Sequence, residues 1–189
     1  MSSEQVVASE MKPLDLAQVW TSGRTFEQFL SQASPEHASL WEGIYRHARA
    51  PEWAVAALQG RSLRLLAIVE DWCIDTSSTI PFLARVAESV PNAELRLILR
   101  DQNLAVMDRY LTAGARSIPV VIALDEQYRE LGHWGPRPSE LQAWVRASKD
   151  IVPRAERARE ERRWYARDKG ETTVREVLEA AGVRTSSPS

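Results

Sequence analysis

The stretch Leu65–Val86, LLAIVEDWCIDTSSTIPFLARV, joins an apolar segment to an amphipathic one across the only cysteine of the chain. The apolar segment has the length and aliphatic composition of a buried strand, and it ends at Glu70 and Asp71. Beyond Cys73 the apolar residues recur at helical spacing, which predicts a helix over Thr76–Val90. The pattern therefore places Cys73 at the junction between a strand and a helix.

The composition is that of an ordinary globular protein, with 44% hydrophobic and 26% charged residues among 189. A net charge of −2 and a pI of about 6.0 provide no overall basic field, so we expect neither nucleic acid nor a membrane as a partner. No run approaches the ~20 apolar residues that span a bilayer, and the first residues lack the basic and apolar regions of a signal peptide. A single cysteine cannot form an internal disulfide, so we expect a cytoplasmic protein.

The central part of the chain predicts an α/β fold. Strands are indicated at 62–70, 93–100, 119–125 and 128–135, and helices at 76–90, 103–114 and 137–152. This order of elements predicts a parallel crossover followed by an antiparallel hairpin, and hence a mixed sheet of four strands.

Residues 1–60 predict a helical extension with a frayed start. Thr25 and Gln28 form a capping-box pattern within it, and Ser34 is a candidate N-cap. We expect these helices to pack on the sheet, because tryptophans such as Trp41 require a large apolar surface.

Residues 151–189 predict a charged helical extension with a disordered end at 184–189. The basic residues of the segment alternate with acids, so we interpret it as a solvated helix and not as a nucleic-acid site. The domain between the two extensions then spans residues 61–150.

With Trp72-Cys73 at the end of its first strand, this order of elements resembles the thioredoxin superfamily. Pro81 matches the proline in the helix after the redox motif, and Ser117-Ile118-Pro119 matches the cis-proline segment that faces the nucleophile. The resemblance covers about residues 61–150 and is closest to a less-characterised branch with helical flanks. It implies a thioredoxin-like three-layer fold, with a mixed sheet of about four strands, helices on both faces, and N- and C-terminal helical extensions.

The resemblance also implies chemistry at Cys73, which stands at the position of the attacking nucleophile. Thr76 stands where the resolving cysteine would be, so the motif is Cys-Ile-Asp-Thr. The implied activity is single-cysteine thiol–disulfide exchange through mixed disulfides, with protein or small-molecule thiols and disulfides as partners. Thr76 either donates its hydroxyl to the Cys73 thiolate or is an ordinary residue of the first helical turn.

We expect a modestly reactive thiol. A helix N-terminus favours the Cys73 thiolate by ~0.3–2 kcal/mol. The carboxylates of Glu70, Asp71 and Asp75 oppose it, each by at most ~1 kcal/mol if exposed. The buried acid that the family places beneath the nucleophile has no counterpart, because Ala67 occupies that part of the strand.

The candidate substrate groove consists of Trp72, Asp75, Ile118, Pro119 and Trp134. We expect the Ile118–Pro119 bond to be cis and Pro119 to lie within van der Waals reach of the Cys73 sulfur. The two tryptophans either flank the sulfur or simply pack, and Asp75 either borders the groove or serves as a helix N-terminal charge. The histidines show no metal-ligand spacing, so neither a metal nor a cofactor is expected.

Two functional interpretations stay open. The first is thiol–disulfide exchange, which requires an accessible Cys73 of low pKa. The second is a non-catalytic thioredoxin-like module that binds a peptide between Trp72 and Pro119, which the missing resolving cysteine favours. Whether the protein is an enzyme is undecided at this stage.

Overall fold

A computed structural model describes residues 13–185. The frayed start predicted for residues 1–12 lies outside the described residues, as does most of the disordered end predicted for 184–189. The helices are α1 Leu16–Ser22, α2 Phe26–Gln32, α3 Pro35–His47, α4 Glu52–Ala57, α5 Ile74–Ser89, α6 Leu104–Met107, α7 Ser139–Ser148, α8 Arg154–Asp168 and α9 Glu171–Ala180. The strands are β1 Leu63–Val69, β2 Ala93–Leu99, β3 Val120–Leu124 and β4 Glu130–Trp134.

The strands form one mixed sheet in the order β2-β1-β3-β4. Strands β1 and β2 are parallel, whereas β3 runs antiparallel to both β1 and β4. The predicted α/β class, the parallel crossover and the antiparallel hairpin are therefore confirmed.

Successive side chains of β1 point to opposite faces of the sheet, and both faces are buried. Leu65 and Ala67 belong to the apolar cluster that includes α2–α5 and α9. Leu66 and Ile68 belong to a second cluster, formed with residues of α1 and α6. A strand covered on both faces must be almost continuously apolar, which explains the composition of β1.

The flanking helices contribute to the main cluster. Trp41 of α3 is completely buried in this cluster. Val174 and Val177 of α9 are also buried there, each at most 1% exposed. The predicted capping box is present at the start of α2, where Thr25 and Gln28 each accept a hydrogen bond from the other's backbone N–H. No helix in the described part of the chain is long and apolar enough to cross a membrane.

The helix predicted over 103–114 is limited to the single turn of α6. Asn103 does not cap it through its side chain, which instead donates to the carbonyl of Leu99 (2.8 Å). Tyr110 is buried against the sheet, and its hydroxyl donates to Glu130 (2.8 Å). These tertiary contacts of Tyr110 outweigh local helix propensity, and the chain turns back toward Ile118.

Candidate functional site

The site lies at the sheet edge where β1 ends and β3 begins. Val69, the last residue of β1, pairs with Leu99, and Ile68 pairs with Val120 at the start of β3. Strand β4 ends at the same edge, because Trp134 pairs with Val121. The segments after β1, before β3 and after β4 are thereby brought together.

Cys73 is the N-cap residue of α5, which begins at Ile74 and thus earlier than predicted. Its carbonyl accepts a hydrogen bond from the N–H of Ser77 (3.0 Å). Its thiol faces the carbonyl oxygen of Ile118, with 3.7 Å between Sγ and the oxygen. The Ile118–Pro119 bond is cis, as predicted. The cysteine and the cis-proline segment therefore meet across the sheet edge.

Gly135 allows the end of β4 to approach Pro119 closely. A Cβ atom at Gly135 would lie 2.1 Å from the carbonyl oxygen of Pro119, and its φ of +135° is one that other residues rarely adopt. The following bond, Gly135–Pro136, is a second cis bond that was not predicted. Only glycine fits this position, and it brings Arg137 to the site.

The Cys73 thiol is not acidic. Burial raises its pKa above the ordinary value, and the negative charge of Asp75 raises it further. The hydroxyl of Thr76 and the backbone N–H groups of Thr76 and Asp75 act in the opposite direction without compensating fully. The sequence-based expectation weighed the helix N-terminus against nearby carboxylates and did not include burial, which is the largest influence on the pKa of Cys73.

Thr76 is completely buried in the first turn of α5. Its hydroxyl oxygen has no hydrogen-bond partner among the described residues, which is unusual for a buried polar atom. The same hydroxyl lies near the Cys73 thiol and acts to lower its pKa, because it can donate to the sulfur once the sulfur is charged. Thr76 therefore has an unused donor available for a negatively charged sulfur.

Asp75 does not border an open groove. Only 6% of its surface is exposed, because Arg137 and Tyr165 cover it. Arg137 forms an ion pair with the carboxylate (Nη2–Oδ2 2.6 Å, Nε–Oδ1 3.0 Å), and the Tyr165 hydroxyl donates to Oδ1 (2.8 Å). Burial raises the pKa of Asp75 above its ordinary value, whereas Arg137 and Tyr165 oppose this rise. Glu161 extends the cluster, 3.7 Å from the Arg137 guanidinium.

The other two acids near Cys73 also have structural partners. Glu70 is 8% exposed and accepts a hydrogen bond from the N–H of Asp101 (2.9 Å). Asp71 accepts one from the N–H of Ser34 (2.8 Å) at the start of α3. Glu70 and Asp75 are thus buried acids close to the cysteine in sequence, although Ala67 is apolar as expected.

The two tryptophans have different environments. Trp72 is 50% exposed, and the guanidinium of Arg100 lies over its ring, 5.1 Å from the centroid. Trp134 is 7% exposed in the main apolar cluster, and its indole N–H donates to Glu176 (2.6 Å). Trp134 therefore packs, whereas Trp72 can offer a recognition surface.

Sequence reasoning missed Arg137 and Tyr165. Arg137 follows β4 closely in the chain. In the predicted antiparallel hairpin, β4 ends beside the start of β3, so this topology could have located Arg137 near Pro119. Tyr165 lies in a highly charged helix that was interpreted as solvated, and no local pattern distinguishes it. Among the described residues, no group of three His, Cys, Asp or Glu side chains could hold a metal ion.

The comparisons with known proteins agree with this geometry. A family model described as Thioredoxin matches residues 23–160. An HIV epitope scaffold has a crystal structure similar to this chain, with a TM-score of 0.71 and 20% identity over 89% of this chain and 98% of that chain. A protein of unknown function from Pseudomonas aeruginosa is also similar, with a TM-score of 0.68 and 23% identity over 90% of this chain and 98% of that chain. No curated protein matches the chain significantly in sequence. The chain belongs to the thioredoxin family.

Proposed function

We propose that the protein carries out single-cysteine thiol–disulfide exchange through Cys73. The observation that carries the proposal is the position of the sulfur, at the N-cap of α5 and 3.7 Å from the carbonyl oxygen that precedes the cis Pro119. A sulfur at a helix N-terminus benefits from the positive end of the helix dipole when it becomes a thiolate. The buried, unpaired hydroxyl of Thr76 is a further donor to that thiolate.

The proposed cycle has two balanced exchanges. The Cys73 thiolate attacks one sulfur of a partner disulfide, which forms a mixed disulfide and releases the other sulfur as a thiolate that takes up a proton. An outside thiolate then attacks the partner sulfur of the mixed disulfide and releases Cys73. The net result is one exchange: one sulfur of the partner disulfide leaves as a thiol, the other becomes joined to the outside thiol in a new disulfide, and Cys73 returns to its initial state. The cycle needs a thiol pool, which a reducing compartment such as the cytoplasm would supply.

Mass spectrometry of the intact protein tests this proposal. After incubation with oxidised glutathione at pH 8–9, we expect one glutathionyl adduct on the folded wild type and none on Cys73→Ser. Dithiothreitol should remove the adduct. The proposal fails if the folded protein forms no adduct while the urea-unfolded protein does, since the site would then block the sulfur.

A second candidate is a non-catalytic module that binds an extended peptide beside Trp72 and Pro119. The raised pKa of Cys73 favours it, because a protonated thiol is a poor nucleophile at neutral pH. Half-exposed Trp72 would provide apolar contact area. In this case Cys73→Ser should retain full affinity for partner peptides, and Trp72→Ala should lose it.

A further inference from the structure

A cavity of about 1040 Å³ lies between α3, α5 and α8, and Pro119 is not among the residues that line it. It is at the upper end of the size range of small-molecule sites. Cys73 does not line it, although the next residue, Ile74, does. The proposed exchange at Cys73 makes no use of this volume.

One face of α3 and one face of α5 form its apolar walls. Leu40 and Ile44, at the spacing of one helical turn, face it from α3, and Leu40 is 50% exposed as a result. Ile74 and Phe82 face it from α5, two turns apart. Leu40 is exposed, and Ile44, Ile74 and Phe82 are partly buried. Apolar side chains that converge on one accessible volume are typical of a ligand site.

Two small residues keep the centre of the cavity open. Gly43, midway along the wall that α3 provides, has open space where a side chain would be, since an added Cβ would meet nothing within 4 Å. Opposite it, Ser78 of α5 lines the cavity, and its hydroxyl makes no hydrogen bond with any described residue. A polar group of this kind inside apolar walls can orient a ligand.

The rim contributed by α8 is basic. Arg162, Arg167 and Lys169 all line the cavity, and neither Arg167 nor Lys169 forms an ion pair within the described part of the chain. Arg162 interacts electrostatically with its neighbour Glu161.

Another cation lies on the opposite side, where Arg49 follows α3. The two acids of the lining already have donors. Asp168 accepts hydrogen bonds from Thr172, and Glu171 accepts one from Trp53 (2.7 Å). Glu171 also pairs with Arg175, which does not line the cavity (3.9 Å). Four cationic side chains thus stand against two carboxylates, and the rim has a net positive charge above apolar walls.

We propose that this cavity binds a single-chain aliphatic carboxylate, with its chain between α3 and α5 and its carboxylate at the basic rim of α8. Apolar walls bury the chain, and the cations complement the negative head group.

Calorimetric titration of the full chain with dodecanoate, below its micelle-forming concentration, tests the apolar part of the proposal. We expect saturable binding of one molecule. Gly43→Phe fills the cavity from a position with no steric obstacle and should weaken binding by about tenfold or more. Gly43→Ala is the matched control, because it changes the same helix position but leaves the volume open, and it should keep wild-type affinity.

The charge part is tested with the double variant Arg162→Gln/Lys169→Gln and with dodecan-1-ol as the neutral probe. The variant should reduce the preference for dodecanoate over the alcohol, whereas Arg159→Gln/Arg163→Gln, on the same helix but outside the cavity, should not. Melting curves establish that every variant is folded. The proposal is overturned if dodecanoate does not saturate the wild type, if Gly43→Phe binds it normally, or if the alcohol binds as tightly as the carboxylate.

Discussion

Cys73 sits among groups that act on its thiolate in opposite directions. The helix N-terminus and the Thr76 hydroxyl favour the charged sulfur, whereas burial and Asp75 disfavour it. Asp75 is the second residue after the cysteine. Its carboxylate is buried, pairs with Arg137 and accepts a hydrogen bond from Tyr165. The acid that raises the pKa of Cys73 thus also accepts a hydrogen bond from Tyr165 of α8.

Replacement of Asp75 by Asn should make Cys73 more reactive. The change removes a negative charge that raises the pKa of Cys73, and it leaves the positive charge of Arg137 nearby. Iodoacetamide should therefore alkylate Cys73 several-fold faster at pH 7, with the midpoint of the rate against pH moved toward neutrality. Asp108→Asn, at an exposed position, is the control and should leave the rate unchanged. A slower reaction in a folded Asp75→Asn variant would contradict the assigned role of the charge.

Thr76→Cys should allow an internal disulfide with Cys73. The two residues are the N-cap and the third residue of the same helix, so their Cα atoms should fall within the ~4.4–6.8 Å that a disulfide requires. The variant should gain reduction of insulin disulfides in dithiol buffer, and the wild type should show little.

Two other results of this experiment are informative. A variant that forms the disulfide but reduces nothing would favour the peptide-binding module. One that cannot form the disulfide would contradict the position of Cys73 at the helix N-terminus.

At the scale of elements, the loop between β1 and α5, together with the first turn of α5, is attached to helices from both ends of the chain. Asp71 accepts the N–H at the start of α3, and its carbonyl accepts the indole N–H of Trp41 (2.8 Å). Asp75 holds Tyr165 of α8. Helices on both sides of residues 61–150 therefore support the segment that carries Cys73, and α3 lies within the residues 23–160 that the family model matches.

Asp71→Asn should weaken the attachment of α3 in a pH-dependent way. Burial acts to raise the pKa of Asp71, but the Ser34 N–H and His37 outweigh it and lower the pKa below its ordinary value. A lowered carboxyl pKa adds stability that is present above the ordinary pKa of about 3.9 and is lost as the pH falls through the lowered value. In urea denaturation at pH 7 we expect the variant to lose roughly 1.5–3 kcal/mol, the contribution of a hydrogen bond to a charged group.

The difference from wild type should shrink as the pH falls below the ordinary pKa of Asp71. Glu36→Gln, an exposed change in the first turn of the same helix, should have almost no effect. A difference that is constant from pH 7 to pH 2 would show that the charge of Asp71 is not what attaches α3.

At the scale of the molecule, we expect the sheet to depend on helices from outside residues 61–150. The main apolar cluster includes Phe29 and Trp41 from the N-terminal side and Val174 and Val177 from the C-terminal side. A chain that begins at Ser62 should therefore show no cooperative unfolding transition. Loss of one large buried aromatic side chain costs ~3–5 kcal/mol, and whole domains have only ~5–15 kcal/mol of stability. Urea titration followed by circular dichroism measures this, and a truncated chain as stable as the full one would contradict it.

The sequence was sufficient to predict the sheet and the position of the cysteine. Strand β1 is apolar because both of its faces are covered, and the helical period after Cys73 is local, so both can be recognised from neighbouring residues. The cis bond before Pro119 was predicted from the family resemblance alone. The capping box at Thr25 was likewise recognisable, because its partners are three residues apart.

The tertiary structure decided how reactive the site is and what surrounds it. The Asp75–Tyr165 hydrogen bond joins residues that are ninety positions apart, and the cavity forms only where faces of α3, α5 and α8 converge. Burial and partners of this kind depend on the packing of distant segments, and no local pattern records them. For this reason the sequence located Cys73 but did not record the burial that raises the pKa of its thiol, and it indicated neither the Arg137 ion pair nor the cavity.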